Sequence, residues 1–125
     1  MGLLAGCGPS HPPTYPVRGT VAFADGRPVT WGTVEFYSVE QKIAARGQIQ
    51  SDGSFQLSTF GTGDGAVAGR HLVTVAQAAQ IDRPLKHEHA PATSVPPRYA
   101  NPKSSGLEFT VEARKKNEFK IAIGP

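Results

Sequence analysis

The chain has 125 residues, enough for one domain and short for two. Thirteen Lys+Arg against ten Asp+Glu leave a formal charge of +3, and only 18% of residues are charged, so charge alone does not point to nucleic acid as a partner. Fourteen glycines and eleven prolines punctuate the chain too often for a helical bundle, a single cysteine excludes an intrachain disulfide or a multi-cysteine zinc site, and no apolar run reaches the ~20 residues that span a bilayer.

The cysteine stands in Leu4-Ala5-Gly6-Cys7, which resembles a bacterial lipobox. Small residues before the cysteine let a prolipoprotein peptidase reach the backbone, and the thiol carries the diacylglyceryl group. On this reading Cys7 becomes the new N-terminus and residues 1–14 are a leader end and tether, with Gly8, Pro9, Ser10, Pro12 and Pro13 keeping the tether unstructured. A charged and then apolar stretch normally precedes such a site, and here only Gly2-Leu3-Leu4-Ala5 follows the first Met. The lipobox places the protein in the cell envelope, outside the cytoplasm and anchored to a membrane through Cys7. The other reading is a Pro-rich tail with a free thiol on a cytoplasmic protein.

Residues 15–125 read as one domain. Val17, Gly19, Val21 and Phe23 alternate with Arg18, Thr20 and Ala22, the period of a strand with one buried face. Asp25-Gly26-Arg27-Pro28 is a turn, because Gly tolerates positive φ and Pro fixes the exit. Alternation resumes at 33–37 with Val34 and Phe36 inward and Tyr37 outward, then at 44–50 with Ala45, Gly47 and Ile49 on one face. Ser51-Asp52-Gly53-Ser54 reads as a hairpin, followed by inward Phe55 and Leu57. Residues 60–69 are glycine-rich and irregular, and 70–76 is a strand with Val73 and Val75 together. The stretch 77–106 has five prolines and no sustained period, the mark of a long loop of the kind that often carries function. Leu107, Phe109 and Val111 restore the alternation, Arg114-Lys115-Lys116-Asn117 is a polar turn, and Phe119, Ile121 and Ile123 form a last strand. These segments predict an all-β domain, a seven-stranded antiparallel β-sandwich with a long loop at about 77–106. Its inward side chains suffice for a core, so folding calls for no cofactor.

The segments 17–23, Asp25-Gly26-Arg27-Pro28-Val29, Gly32-Thr33-Val34-Glu35-Phe36, Ser51-Asp52-Gly53-Ser54-Phe55 and Gly69-Arg70-His71-Leu72-Val73-Thr74-Val75 together resemble the carboxypeptidase regulatory-like, or transthyretin-like, β-sandwich domains. Residues 61–66, 95–102 and 105–107 resemble small secreted lipoproteins of planctomycete-type bacteria. The resemblance covers roughly residues 16–123 and implies a fold more than an activity. It also implies an aromatic where this chain has His71. The superfamily includes 5-hydroxyisourate hydrolases, but their terminal Tyr-Arg-Gly-Ser is not matched by Ala122-Ile123-Gly124-Pro125. The expected role is non-catalytic, a structural or interaction module.

Three constellations are candidates for chemistry. His87 and His89 in His87-Glu88-His89 point the same way in an extended chain and form a weak metal site if His11, His71 or another carboxylate completes it. A solvated polar loop explains them as well. The pairs Asp25-Gly26, Asp52-Gly53 and Asp64-Gly65 lack the second carboxylate a calcium loop requires and read as turns. Trp31, Tyr37 and Tyr99 are the candidate ligand-binding aromatics, for a carbohydrate or small ligand held with the 77–106 loop; Trp31 capping the sandwich and Tyr99 anchoring the loop is the competing reading. Arg114-Lys115-Lys116 is balanced by Glu112 and Glu118 and has no interleaved aromatic, which argues against nucleic acid. Expected partners are the membrane and an envelope protein or polysaccharide. Edge strands of such sandwiches also pair between chains, so a dimer is an open expectation.

Overall fold

The computed structural model describes residues 11–77 and 94–124. Nine strands occur among them: Thr14–Tyr15 (β1), Val17–Phe23 (β2), Thr33–Ser38 (β3), Ala44–Gln48 (β4), Ser54–Gln56 (β5), Ala66–Val67 (β6), Gly69–Ala76 (β7), Leu107–Val111 (β8) and Asn117–Ile123 (β9). A four-stranded sheet, β4-β3-β7-β8, packs on a three-stranded sheet, β5-β2-β9, and β1 pairs with β6 beside them. The all-β architecture with packed sheets is as periodicity predicts. Most of the alternate residues assigned inward are buried: Val17 and Val21, Val34 and Phe36, Ala45, Ile49, Phe55 and Leu57, Val73 and Val75, Val111, Ile121 and Ile123, while Phe23, Leu107, Phe109 and Phe119 are partly buried against them.

The two sheets meet at Phe36. Its ring centroid lies 5.5 Å from Phe119 and 6.3 Å from Phe55 across the sandwich, and 5.9 Å from Phe109 and 5.7 Å from His71 within its own sheet. Offset and tilted rings at these separations add to the burial of apolar area. Gly19, on the inward face of β2, makes room for this cluster. A Cβ there would overlap the Phe119 carbonyl oxygen and come within 2.8 Å of the Phe55 ring.

Three features differ from the sequence expectation. Nine strands replace seven, because β1 and β6 are two residues each and too short to show a period. The sandwich is not wholly antiparallel: β2 and β9 run parallel in register from Val17↔Asn117 to Phe23↔Ile123. Side-chain alternation specifies which face is buried and carries no information on strand direction, and no short turn joins these two strands to force them antiparallel. The turn at 51–54 makes the expected hairpin contacts, the Gln50 N–H donating to the Ser54 carbonyl at 2.8 Å and Arg46 and Ser58 exchanging backbone hydrogen bonds, but it is not confined to one sheet. Gly53 has the expected positive φ of 88°, but β4 pairs with β3 while β5 pairs with β2, so the turn carries the chain from one sheet to the other.

The end of the 77–106 stretch is also more ordered than its composition suggests. Pro97–Ala100 form a 3-10 helix, with Val95 and Tyr99 buried on either side of its start. The Ser105 hydroxyl donates to the Val73 carbonyl at 2.6 Å, which lines the chain up for β8 to pair with β7.

Candidate functional site

The outward residues of β3 are Thr33, Glu35 and Tyr37, flanked by Arg46 and Gln48 of β4 and by Thr74 and Ala76 of β7. Register places Glu35 opposite both Arg46 and Thr74, and Thr33 opposite both Gln48 and Ala76. The Arg46 guanidinium lies 3.0 Å from the Glu35 carboxylate, and the Gln48 amide donates to the Thr33 hydroxyl at 3.4 Å. Thr33, Glu35, Arg46, Gln48, Thr74 and Ala76 line a groove of about 660 Å³ together with Trp31, Gly32 and Ala100 of the 3-10 helix. A ligand entering it meets carboxylate, guanidinium, amide and hydroxyl groups beside one large aromatic face.

Trp31 is 47% exposed, yet its backbone is held from two directions. The Ile49 N–H donates to the Gly32 carbonyl at 2.8 Å, and the Gln77 amide donates to the Trp31 carbonyl at 3.0 Å. Gly32 has φ 129°, a conformation open to glycine, and a Cβ there would also press on the Ala76 carbonyl at 2.9 Å. The Gln77 side-chain oxygen accepts from the Val95 N–H at 2.7 Å. One side chain thus ties together the Trp31 turn and the chain on both sides of residues 78–93.

The sequence candidates separate in the structure. Trp31 borders the groove. Tyr37 is 37% exposed on the same strand face, but six residues along, about 20 Å of extended chain, so the two rings form no common platform. Tyr99 is not an exposed ligand contact: it is 5% exposed and belongs to the core. Its hydroxyl accepts from the Gly124 N–H and from the Arg98 guanidinium, both at 2.8 Å, and the guanidinium carbon sits 4.4 Å from the ring centre. The reading of Tyr99 as an anchor for the loop is the one the geometry supports.

His71 is a core residue. It is fully buried on the face of β7 that also carries Val73 and Val75. Nδ1 lies 3.0 Å from the Gly69 carbonyl, and Nε2 has no hydrogen-bond partner among the described residues. Burial holds the imidazole below the usual histidine range, outweighing the Gly69 carbonyl and the Glu40 carboxylate, which favour the charged form. A neutral ring bound to a carbonyl carries its proton on Nδ1, which makes Nε2 the acceptor of a ring whose centroid lies 5.7 Å from that of Phe36. His11 stacks on Phe60 with centroids 3.9 Å apart. No group of three or more His, Cys, Asp or Glu side chains is placed to hold an ion among the described residues. Cys7, His87 and His89 lie outside the described residues.

The three Asp-Gly carboxylates serve their own turns. Asp25 accepts from Arg27, and Asp52 accepts from the Ser54 N–H and hydroxyl. Asp64 accepts from the N–H groups of Thr59 at 2.7 Å, Gly61 at 2.9 Å and Phe60 at 3.1 Å. Partial burial pushes its carboxyl up, and these three N–H groups outweigh that and hold it below the usual carboxylate range.

Sequence reasoning found Trp31 and missed most of its surroundings. The alternation of β3 placed Glu35 outward, so Glu35 was within reach. Arg46 and Gln48 join it only through strand register, and Gln77 through a side-chain bond spanning 46 residues. Compared with protein families, with curated proteins and with solved structures, the chain matches none.

Proposed function

We propose that this chain is a non-catalytic interaction module of the cell envelope, held outside a membrane by a lipid on Cys7, that binds a hydroxyl-rich polymer such as an envelope polysaccharide across the outer face of β4-β3-β7. The observation that carries the binding reading is the half-exposed ring of Trp31 fixed beside a polar groove. An exposed indole offers an apolar face to the C–H side of a sugar ring. The neighbouring Glu35, Arg46, Gln48 and Thr33 offer the donors and acceptors its hydroxyls require. The groove size suits a few sugar units rather than a large protein surface. The transthyretin-like, carboxypeptidase regulatory-like placement belongs to the same reading; its support is the run of turn and core motifs quoted above.

Trp31 is the sole tryptophan of the chain, so its emission reports this site directly. Titration with purified envelope polysaccharides should give a saturable quench or shift, and Gln48→Ala with Glu35→Gln should abolish it. Emission that stays unchanged across such polymers overturns the binding reading. The anchor is tested separately. Cys7→Ser in the gene with its own upstream sequence should move the protein from the membrane to the soluble fraction, and retention in the membrane overturns the lipid assignment.

A further inference from the structure

β9 is the outer strand of its sheet, and one edge of it faces away from β2. Asn117 donates its N–H to the Pro16 carbonyl and Ile123 offers its carbonyl to the Ala24 N–H, so the odd-numbered residues of β9 direct their backbone groups toward β2. Successive residues of a strand alternate in this respect. Glu118, Lys120 and Ala122 therefore direct N–H and C=O outward, and among the described residues no strand takes them up. All three are exposed, and no proline or positive φ interrupts the strand. Beneath this edge the rings of Phe119 and Phe109 meet at 4.9 Å and are only partly buried, as is Leu107. The seam between the edges of the two sheets thus leaves an apolar strip in part uncovered.

We infer that this edge pairs with the same edge of a second copy of the chain, antiparallel and centred on Phe119, to give a twofold dimer with a continuous six-stranded sheet. The charge pattern selects that partner and that register. Centring on Phe119 places Glu118 of each copy opposite Lys120 of the other, two opposite-charge pairs on the outer face. It also makes the 118/120 positions the hydrogen-bonded pairs, as their outward backbone groups require, and leaves the two Phe119 residues as the closer, non-hydrogen-bonded pair over the apolar strip. Sliding the register by two residues either way sets Lys120 against Lys120 or Glu118 against Glu118. A lysine on an edge strand ordinarily discourages pairing; here the one arrangement in which it does not is the self-complementary one. Among the described residues of its own copy Glu118 meets Lys116 at 4.0 Å, both side chains being more than half exposed.

Sedimentation equilibrium on the full chain tests this together with charge reversals at exposed positions. The wild type should sediment at twice the chain mass. Glu118→Lys alone and Lys120→Glu alone should each weaken association at least about tenfold, since each converts both attractions into repulsions. The double reversal should restore the dimer, and an equimolar mixture of the two single variants should form a heterodimer. Far-UV circular dichroism of each variant confirms that the fold is retained. A wild type that stays monomeric at high protein concentration overturns the inference. So do single variants that associate as tightly as wild type, or a mixture that fails to associate, either of which would show that another surface, or an occupant other than a second copy, covers this edge.

Discussion

Trp31 and Tyr99 are both aromatic, both stand near the ends of the 77–106 stretch, and both look from composition like ligand contacts, yet the fold uses them in opposite ways. Trp31 lies in a turn whose backbone is tied down by Gln77 and by Ile49, so its ring is free to face solvent. Tyr99 lies in a 3-10 helix with no side-chain cap, and its own ring and hydroxyl supply the tie by entering the core and meeting Gly124. Where the backbone is held by other groups, an aromatic side chain is available for binding. Where the backbone bonds are local, as from the Tyr99 N–H to the Pro96 carbonyl and from the Ser104 hydroxyl to the Arg98 carbonyl, the aromatic is consumed in making the long-range tie.

That contrast can be broken most sharply at Tyr99. Tyr99→Ala removes a buried ring and should cost about 3–5 kcal/mol, read as a lower midpoint in urea unfolding. Tyr99→Phe keeps the ring and leaves the Gly124 N–H without its acceptor, a cost of about 1 kcal/mol. Gln77→Ala should lose a similar ~1 kcal/mol, and it should also blunt the Trp31 emission response to polysaccharide, because the turn loses one of its two ties. Trp31→Ala should change stability by less than ~0.5 kcal/mol while removing retention on immobilised polysaccharide. A large stability loss in Trp31→Ala, or a negligible one in Tyr99→Ala, would reverse the assignment of the two roles.

A third ring, His71, sharpens the same comparison through pH. Its folded-state proton affinity is depressed by burial, while the unfolded chain titrates near the ordinary value of 6.5. Above that pH both states are neutral at this position. Below it the unfolded chain takes up a proton that the buried ring does not, so stability should fall as pH drops from about 6.5 toward the lower folded-state value. His71→Phe removes the titration and should flatten this part of the stability-pH curve, measured as urea midpoints between pH 7 and pH 5. An unchanged slope in the variant would show that His71 does not carry the acid sensitivity.

Much of the fold was legible because a strand with one buried face writes a period of two into the chain. Val17-Val21, Val34-Phe36, Val73-Val75 and Ile121-Ile123 are assigned to the interior by that period alone. The groove was legible only through Trp31 and the outward parity of Glu35. Arg46 and Gln48 reach it by register, and a period of two is blind to register, since every shift by an even number of residues preserves it.

What the amino-acid order determined by itself is therefore local: which residues turn, which side chains share a face, and that two apolar faces must be buried against each other. Strand direction in the β2–β9 pair, the capture of Tyr99 by the core and the joining of Glu35 to Arg46 were decided only when the sheets packed. The reason is that each depends on contacts between segments distant in the chain, and the energy of such a contact has no signature in either segment taken alone.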